Sequence, residues 1–189
     1  MKTLPKIETS QLLLRRMEAA DFPFLIRHAN NKKISANIFN IPYPYTETDA
    51  IFRYNLILQG LKNENRYIFV ITNKESGEFL GEIGLNINSD HNHAEVGYWI
   101  GEPFWNKGFA SEALTAVLSF GFESIELQKI FATHFLDNPS SKKVLLKSGM
   151  IKEAELIEHY KVIDTYKSVA QYRLLRHEYN VLINNSISS

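Results

Sequence analysis

Apolar positions along the chain follow two different periods, and the points of change mark its elements. Leu12-Leu13-Leu14-Arg15-Arg16 opens with the short apolar run of a buried strand, and Glu18 to Asp21 puts acidic residues where a helix start favours them. Phe22, Leu25, Ile26 and Ala29 then recur at helical spacing. Pro42-Tyr43-Pro44-Tyr45 makes a stiff loop, after which Thr46 is suited to cap a helix burying Ala50, Tyr54, Ile57, Leu58 and Leu61.

The middle of the chain changes to strand-like runs. Tyr67 to Thr72 and Phe79 to Asn88 are such runs, and the turn residues Asn73-Lys74-Glu75-Ser76-Gly77 between them predict a hairpin. A second turn, Ser89 to His93, leads into a third strand, Ala94 to Ile100. A long helix from about Gly108 to Glu126 sets Ala110, Ala113, Leu114, Val117, Gly121 and Ile125 on one side, small enough to press closely on a sheet. Lys129 to Leu136 reads as a further strand, and Asn138-Pro139-Ser140-Ser141 opens a short helix ending at Ser148-Gly149. Met150 to Ile163 and Ser168 to Leu175 form a closing antiparallel pair, and residues Asn184 to Ser189 are expected to fray. Helices, meander, helix, strand, helix and hairpin in that order predict an α+β fold with a mixed sheet: one domain over 1–189 with its core at about 9–176.

Composition narrows the partners more than it names them. The 189 residues, 44% of them hydrophobic, suffice for one well-filled core. Lys plus Arg equals Asp plus Glu at 21 each, so no overall field draws nucleic acid or an anionic membrane. Cysteine is absent, which removes disulfides, thiolate nucleophiles and cysteine metal sites. No run approaches the ~20 apolar residues of a membrane helix, and Met1 to Gln11 has no signal-like apolar core. A cytoplasmic protein with no nucleic acid or membrane partner is expected, a monomer or homodimer. His91-Asn92-His93 offers two imidazoles but no third ligand, so no metal is expected.

The chemistry concentrates at Pro103-Phe104-Trp105-Asn106-Lys107-Gly108-Phe109-Ala110-Ser111-Glu112-Ala113, where a turn and a glycine precede a helix directly after a strand. The free N–H groups of a helix's first turn and the positive end of its dipole suit a pyrophosphate. A Walker loop needs Gly-Lys-Ser/Thr, whereas here Lys107 precedes Gly108 and Phe109 follows it. The G-x-G-x-x-G dinucleotide fingerprint is also missing.

Together with Gly81-Glu82-Ile83-Gly84, Glu95 to Ile100, Asn138-Pro139-Ser140-Ser141 and Lys147-Ser148-Gly149-Met150, the order of motifs from Thr9 to Leu175 resembles the GNAT N-acetyltransferases. Within them it is similar to the branch acting on N-terminal amines of ribosomal proteins. The resemblance implies the GNAT acyl-CoA N-acyltransferase fold, with a mixed, mostly antiparallel central sheet flanked by helices, and acetyl-CoA as donor. By that resemblance, amides of Asn106, Lys107, Gly108, Phe109 and Ala110 bind the pyrophosphate, although Trp105 replaces the usual first Gln or Arg of the motif. The strand ending at Ile100 splays from its neighbour to admit the pantetheine arm, leaving an N–H near Ile100 for the carbonyl oxygen under attack. Asn138 contacts the pantetheine and Ser141 the departing thiolate; read on their own, both form an ordinary helix start.

Glu95 matches a family carboxylate that organises a water and takes the amine proton; read alone it is equally a strand carboxylate or an ion-pair partner. Glu112 reads as a first-turn residue favoured by the dipole. Tyr43, Tyr45 and Tyr160 match the acceptor side, with His159 a surface residue. The implied reaction is direct attack by a primary amine, preferably a protein α-amine such as a ribosomal protein's. Polyamine or aminoglycoside acetylation and a non-catalytic acyl-CoA-binding module are the alternatives. Ser168 stands where members of this branch often carry aspartate.

Overall fold

The computed structural model describes residues 4–162 and 164–187. Eight strands among them form one sheet: β1 (Ile7–Glu8), β2 (Leu12–Arg15), β3 (Arg66–Asn73), β4 (Phe79–Asn88), β5 (His93–Ile100), β6 (Lys129–Phe135), β7 (Ile151–Val162) and β8 (Thr165–Leu175), in the order β1-β2-β3-β4-β5-β6-β8-β7. Every neighbouring pair is antiparallel except β5 and β6. The helices are α1 (Phe22–Ala29), α2 (Lys32–Ser35), α3 (Glu47–Lys62), α4 (Phe109–Ser119), α5 (Pro139–Lys147) and α6 (Arg176–Ile187). This is the α+β arrangement that the resemblance implies, its sheet mostly antiparallel and flanked by helices.

Alternation along the strands divides the interior in two. Phe69, Ile71, Ala94, Val96 and Ile100 join a core with Ala113, Leu114 and Val117 of α4. Val70 and Trp99 turn the other way, onto Leu25 and Ala29 of α1 and Ala50 and Ile57 of α3. Leu114 is fully buried, and burial of a leucine of this kind stabilises by about 1.5–3 kcal/mol. α3 starts at a reciprocal cap: Thr46 Oγ1 accepts from the Asp49 N–H and Asp49 accepts from the Thr46 N–H at 2.8 Å.

The parallel junction is short. β5 and β6 pair only at His93/Lys129, Ala94/Ile130 and Glu95/Phe131. Beyond Glu95, β5 stays with β4 as far as Ile100 opposite Gly81, while β6 stays with β8 as far as Phe135 opposite Val169. The sheet therefore opens into a wedge between the ends of β5 and β6. Gly81 permits the close crossing at its rim, because a Cβ there would lie 2.1 Å from the Trp99 carbonyl oxygen.

Four expectations need correction. The helix begun at Gly108 is not α-helical to Glu126: α4 ends at Ser119, a π-helical turn (Phe120–Ser124) follows, and Glu126 takes φ +63°. Residues 184–187 are not frayed chain but the end of α6, whose start is held by Glu178 accepting from the Leu175 N–H at 2.9 Å and whose Tyr179 is buried. Ser188 and Ser189 lie outside the described residues, as does Ile163 at the predicted end of β7. The core reaches beyond 9–176 at both ends, through β1 and α6. Tyr45 is buried at 3% exposure rather than presented on a surface loop.

Candidate functional site

At the mouth of the wedge, the chain leaves Ile100 through a single 3₁₀ turn (Glu102–Phe104) and reaches α4 by way of two left-handed residues, Asn106 (φ +61°) and Gly108 (φ +86°). Trp105 folds back so that its indole N–H donates to the Ile100 carbonyl at 2.6 Å. Lys107 lies over the Phe104 ring at 5.6 Å, while Phe109 is buried and Ala110 half-buried. Among the described residues, the N–H groups of Asn106, Lys107 and Gly108 donate to no protein acceptor. Helix geometry leaves those of Phe109, Ala110 and Ser111 unpaired as well, and Gly108 supplies no side-chain cap. A Cβ on Gly108 would meet nothing within 4 Å, so the site is open above it.

Glu112 does not face that opening. Its carboxylate accepts from Thr9 Oγ1 at 2.6 Å, Ser10 Oγ at 3.1 Å and the Gln11 N–H and side-chain amide at 2.8 Å each, fastening the segment before β2 to α4. Burial pushes this carboxyl up, but those hydrogen bonds outweigh it and hold the group below its ordinary range.

The walls of the wedge differ in chemistry. On the β5 side, the Gly101 N–H donates to the Leu80 carbonyl at 2.8 Å, and the alternation of an antiparallel ladder then turns the N–H groups of Tyr98 and Ile100 toward the open flank. Facing them, α5 begins with Asn138, whose Oδ1 accepts from the Ser141 N–H at 3.1 Å. Ser141 Oγ lies 2.9 Å from the Tyr98 hydroxyl. Asn138 is thus a helix cap in its own right, and Ser141 a hydroxyl held against the splayed strand.

On the opposite face of the sheet, Glu95 is half-buried and accepts from Thr133 Oγ1 at 3.1 Å. Tyr160 comes from β7 to the same place: burial first, then the charge of Glu95, raise its phenol, and a hydrogen bond with Thr133 acts the other way. A bulge between Leu156 and Tyr160 gives the strand its turn, with Glu158 at φ +49° and its N–H donating to Ser168 Oγ at 2.9 Å. Phe39 leans on both Tyr160 and Phe135, at ring distances of 4.2 and 4.8 Å. His159 is exposed, edge-on to Tyr160 at 4.5 Å. The groove floor near Glu95 is Gly97, exposed and with nothing within 4 Å of a Cβ position.

Two lysines in this part of the fold lie over aromatic rings, one of them on the groove's Phe135. Lys167 lies 4.6 Å over the Phe135 ring and pairs with Asp137 at 3.1 Å, and Lys32 lies 5.3 Å over the exposed Tyr43. Tyr45, two residues on past the bend at Tyr43 and Pro44, is turned inward instead, and burial pushes its phenol up. It joins a buried group in which Glu82 accepts from Arg53 Nε at 2.7 Å and from the Trp99 indole at 2.8 Å. So Glu95 and Tyr160 are brought together; Ile100, residues 106–110, Asn138 and Ser141 border the wedge; Tyr43 stands beside Lys32, and Tyr45 is removed from the surface. Thr133, Phe39, Phe135 and Tyr98 were not predicted. Only the alternation of β5 and β6, which puts Thr133 opposite the open flank of Glu95, could have signalled one of them.

Comparison with known proteins gives this geometry a context. A family model described as an acetyltransferase (GNAT) domain matches residues 11–151. An uncharacterized N-acetyltransferase of Bacillus licheniformis, p20, is 34% identical over 177 residues, covering 90% of this chain and 96% of that protein. The ribosomal-protein-serine acetyltransferase of Escherichia coli is 34% identical over 96 residues, 50% of this chain and 54% of its own length. The crystal structure of spermidine N-acetyltransferase from Vibrio cholerae in complex with CoA and spermine superposes with a TM-score of 0.78 at 25% identity, covering 91% and 99% of the two chains.

Proposed function

The chain belongs to the GNAT acetyltransferases, enzymes that take the acetyl group from acetyl-CoA, and from that premise we propose that its acceptor is a protein N-terminal α-amine. One observation carries the choice of acceptor: Glu95 faces an aromatic groove and, among the described residues, takes a hydrogen bond from Thr133 alone, while Lys167 lies over Phe135 beside it. A single carboxylate matches a single ammonium group. A polyamine brings several charges, whereas the other carboxylate beside Phe135, Asp137, is already paired with Lys167. A terminal amine of pKa ~8 is presented neutral at pH 7 for about 1 kcal/mol, against roughly 4 to 5 for an alkylamine near 10.4.

Acetyl-CoA supplies the thioester carbonyl that the amine attacks. The free N–H groups of residues 106–111 are the residues' means of holding a pyrophosphate, and the β5–β6 wedge is the opening for its pantetheine arm. The Ile100 N–H, on the open flank of β5, donates to the carbonyl oxygen as it gains charge. Glu95 receives the amine proton, directly or through a water held with Thr133 and Tyr160. Ser141 donates to the departing sulfur, and Asn138 orients the arm from the start of α5. Phe39, Tyr160 and Phe135 shape the acceptor channel, with Tyr43 at its rim.

Release of free thiol from acetyl-CoA, measured against N-terminal peptides, spermidine, an aminoglycoside and lysine-bearing peptides, tests this. We expect the highest kcat/KM with peptides whose α-amine is free. Preference for spermidine overturns the acceptor, and tight CoA binding with no turnover on any amine makes the chain an acyl-CoA-binding module instead.

A further inference from the structure

We propose that Tyr98 is a positioning residue for the leaving thiolate, its hydroxyl donating to Ser141 Oγ so that the hydroxyl hydrogen of Ser141 is turned toward the sulfur. The inference rests on the acetyl-transfer reading and extends it to a residue to which the sequence motifs assign no role. The phenol of Tyr98 and the hydroxyl of Ser141 lie 2.9 Å apart across the wedge, one on the splayed half of β5 and one in the first turn of α5. The Ser141 carbonyl, at 3.4 Å, is the weaker partner for the same phenol. Among the described residues, Ser141 Oγ forms no other hydrogen bond.

A serine hydroxyl has one hydrogen to give and two lone pairs to receive with. Two hydroxyls side by side can share only one hydrogen between them. Tyrosine is the stronger acid of the two, so it is the donor, and the serine hydrogen is left free. Burial raises the Tyr98 phenol to about 12, so it stays protonated and able to donate wherever the enzyme works. The ring is half-buried and packs against the α4-side core, which restrains its swing away from Ser141.

In the transfer step the amine nitrogen forms the C–N bond and the C–S bond breaks, with its electron pair staying on sulfur. The amine proton leaves on the Glu95 side. No proton departs from Tyr98: a phenol near 12 does not protonate a thiolate whose thiol is near 8.5. Its contribution is orientation and polarisation of the Ser141 hydroxyl.

The test follows the ionisation of the CoA thiol bound to the intact chain, read by thiolate ultraviolet absorbance, for wild type, Ser141→Ala, Tyr98→Phe and the double variant. No acceptor is needed. We expect Ser141→Ala to weaken ionisation about tenfold, one pKa unit, and Tyr98→Phe at least threefold, with CoA affinity held within twofold. The double variant should match Ser141→Ala, and Ser141→Thr should restore the wild-type value. A thiol unmoved by Tyr98→Phe while Ser141→Ala shifts it, or a double variant showing the full sum of both effects, overturns the role of Tyr98. Failure of the wild-type chain to bind CoA overturns the acetyl-transfer reading itself.

Discussion

Replacing Gly108 with alanine separates what the backbone needs at this turn from what a ligand needs. The residue sits at φ +86°, where an L side chain costs about 1–2 kcal/mol. Its Cβ would meet no protein atom within 4 Å, so no steric term adds to that cost. Gly77, in the turn between β3 and β4, is a matched control at φ +71° with equally open surroundings. Both variants should therefore lose about the same stability, a fall in Tm of roughly 2–8 °C for a chain of this size by thermal unfolding. Calorimetric titration with CoA should tell them apart. A methyl group placed where the pyrophosphate approaches the amides should weaken binding at least tenfold in Gly108→Ala, about 1.4 kcal/mol, and leave Gly77→Ala at the wild-type value. Equal CoA affinities in the two variants would refute the assignment of the turn to the donor.

Three further outcomes follow from named contacts. Glu95→Gln should lower kcat by about a hundredfold or more with CoA affinity unchanged, checked by steady-state rates beside calorimetry. Glu112→Gln should cost about 1–2 kcal/mol in urea unfolding at neutral pH. Because the folded Glu112 carboxyl sits below its unfolded value near 4.3, this difference should persist above that pH and disappear as pH falls through the folded pKa. Arg53→Met should destabilise by about 3–5 kcal/mol, since it strands the carboxylate of Glu82, whose side chain is 1% exposed; Arg53→Met with Glu82→Met should recover most of it, again in urea.

The strands were legible because their turns and alternation are local properties. Thr46 and Asn138 could be named as caps for the same reason, since each cap is closed by a residue three positions on. What escaped depended on distant chain. β1 is two residues long and exists through β2, and α2 is four residues capped by Asn31 with no apolar stripe of its own. α6 carries exposed Val181, Leu182 and Ile183 and so lacks a clear periodic face. At the site, the glycine turn and Glu95 are marked by motif, but Phe39, Phe135 and Thr133 become neighbours only when β6 and the segment after α2 close over the sheet. Tyr43 and Tyr45 read as one acceptor-side pair because their spacing puts them on one side of extended chain; a bend at Tyr43 and Pro44 exposes the first and buries the second.

The short pairing of β5 with β6 has a mechanical meaning. The sheet has two halves, β1 to β5 and β6 with β8 and β7, whose strands pair along three residue pairs and part beyond them, joined below by one core. A molecule lying in the opening would touch both halves, so part of its binding energy would act as cohesion between them. On the proposed function, the chain holding its donor would then unfold at a higher temperature than the chain without it.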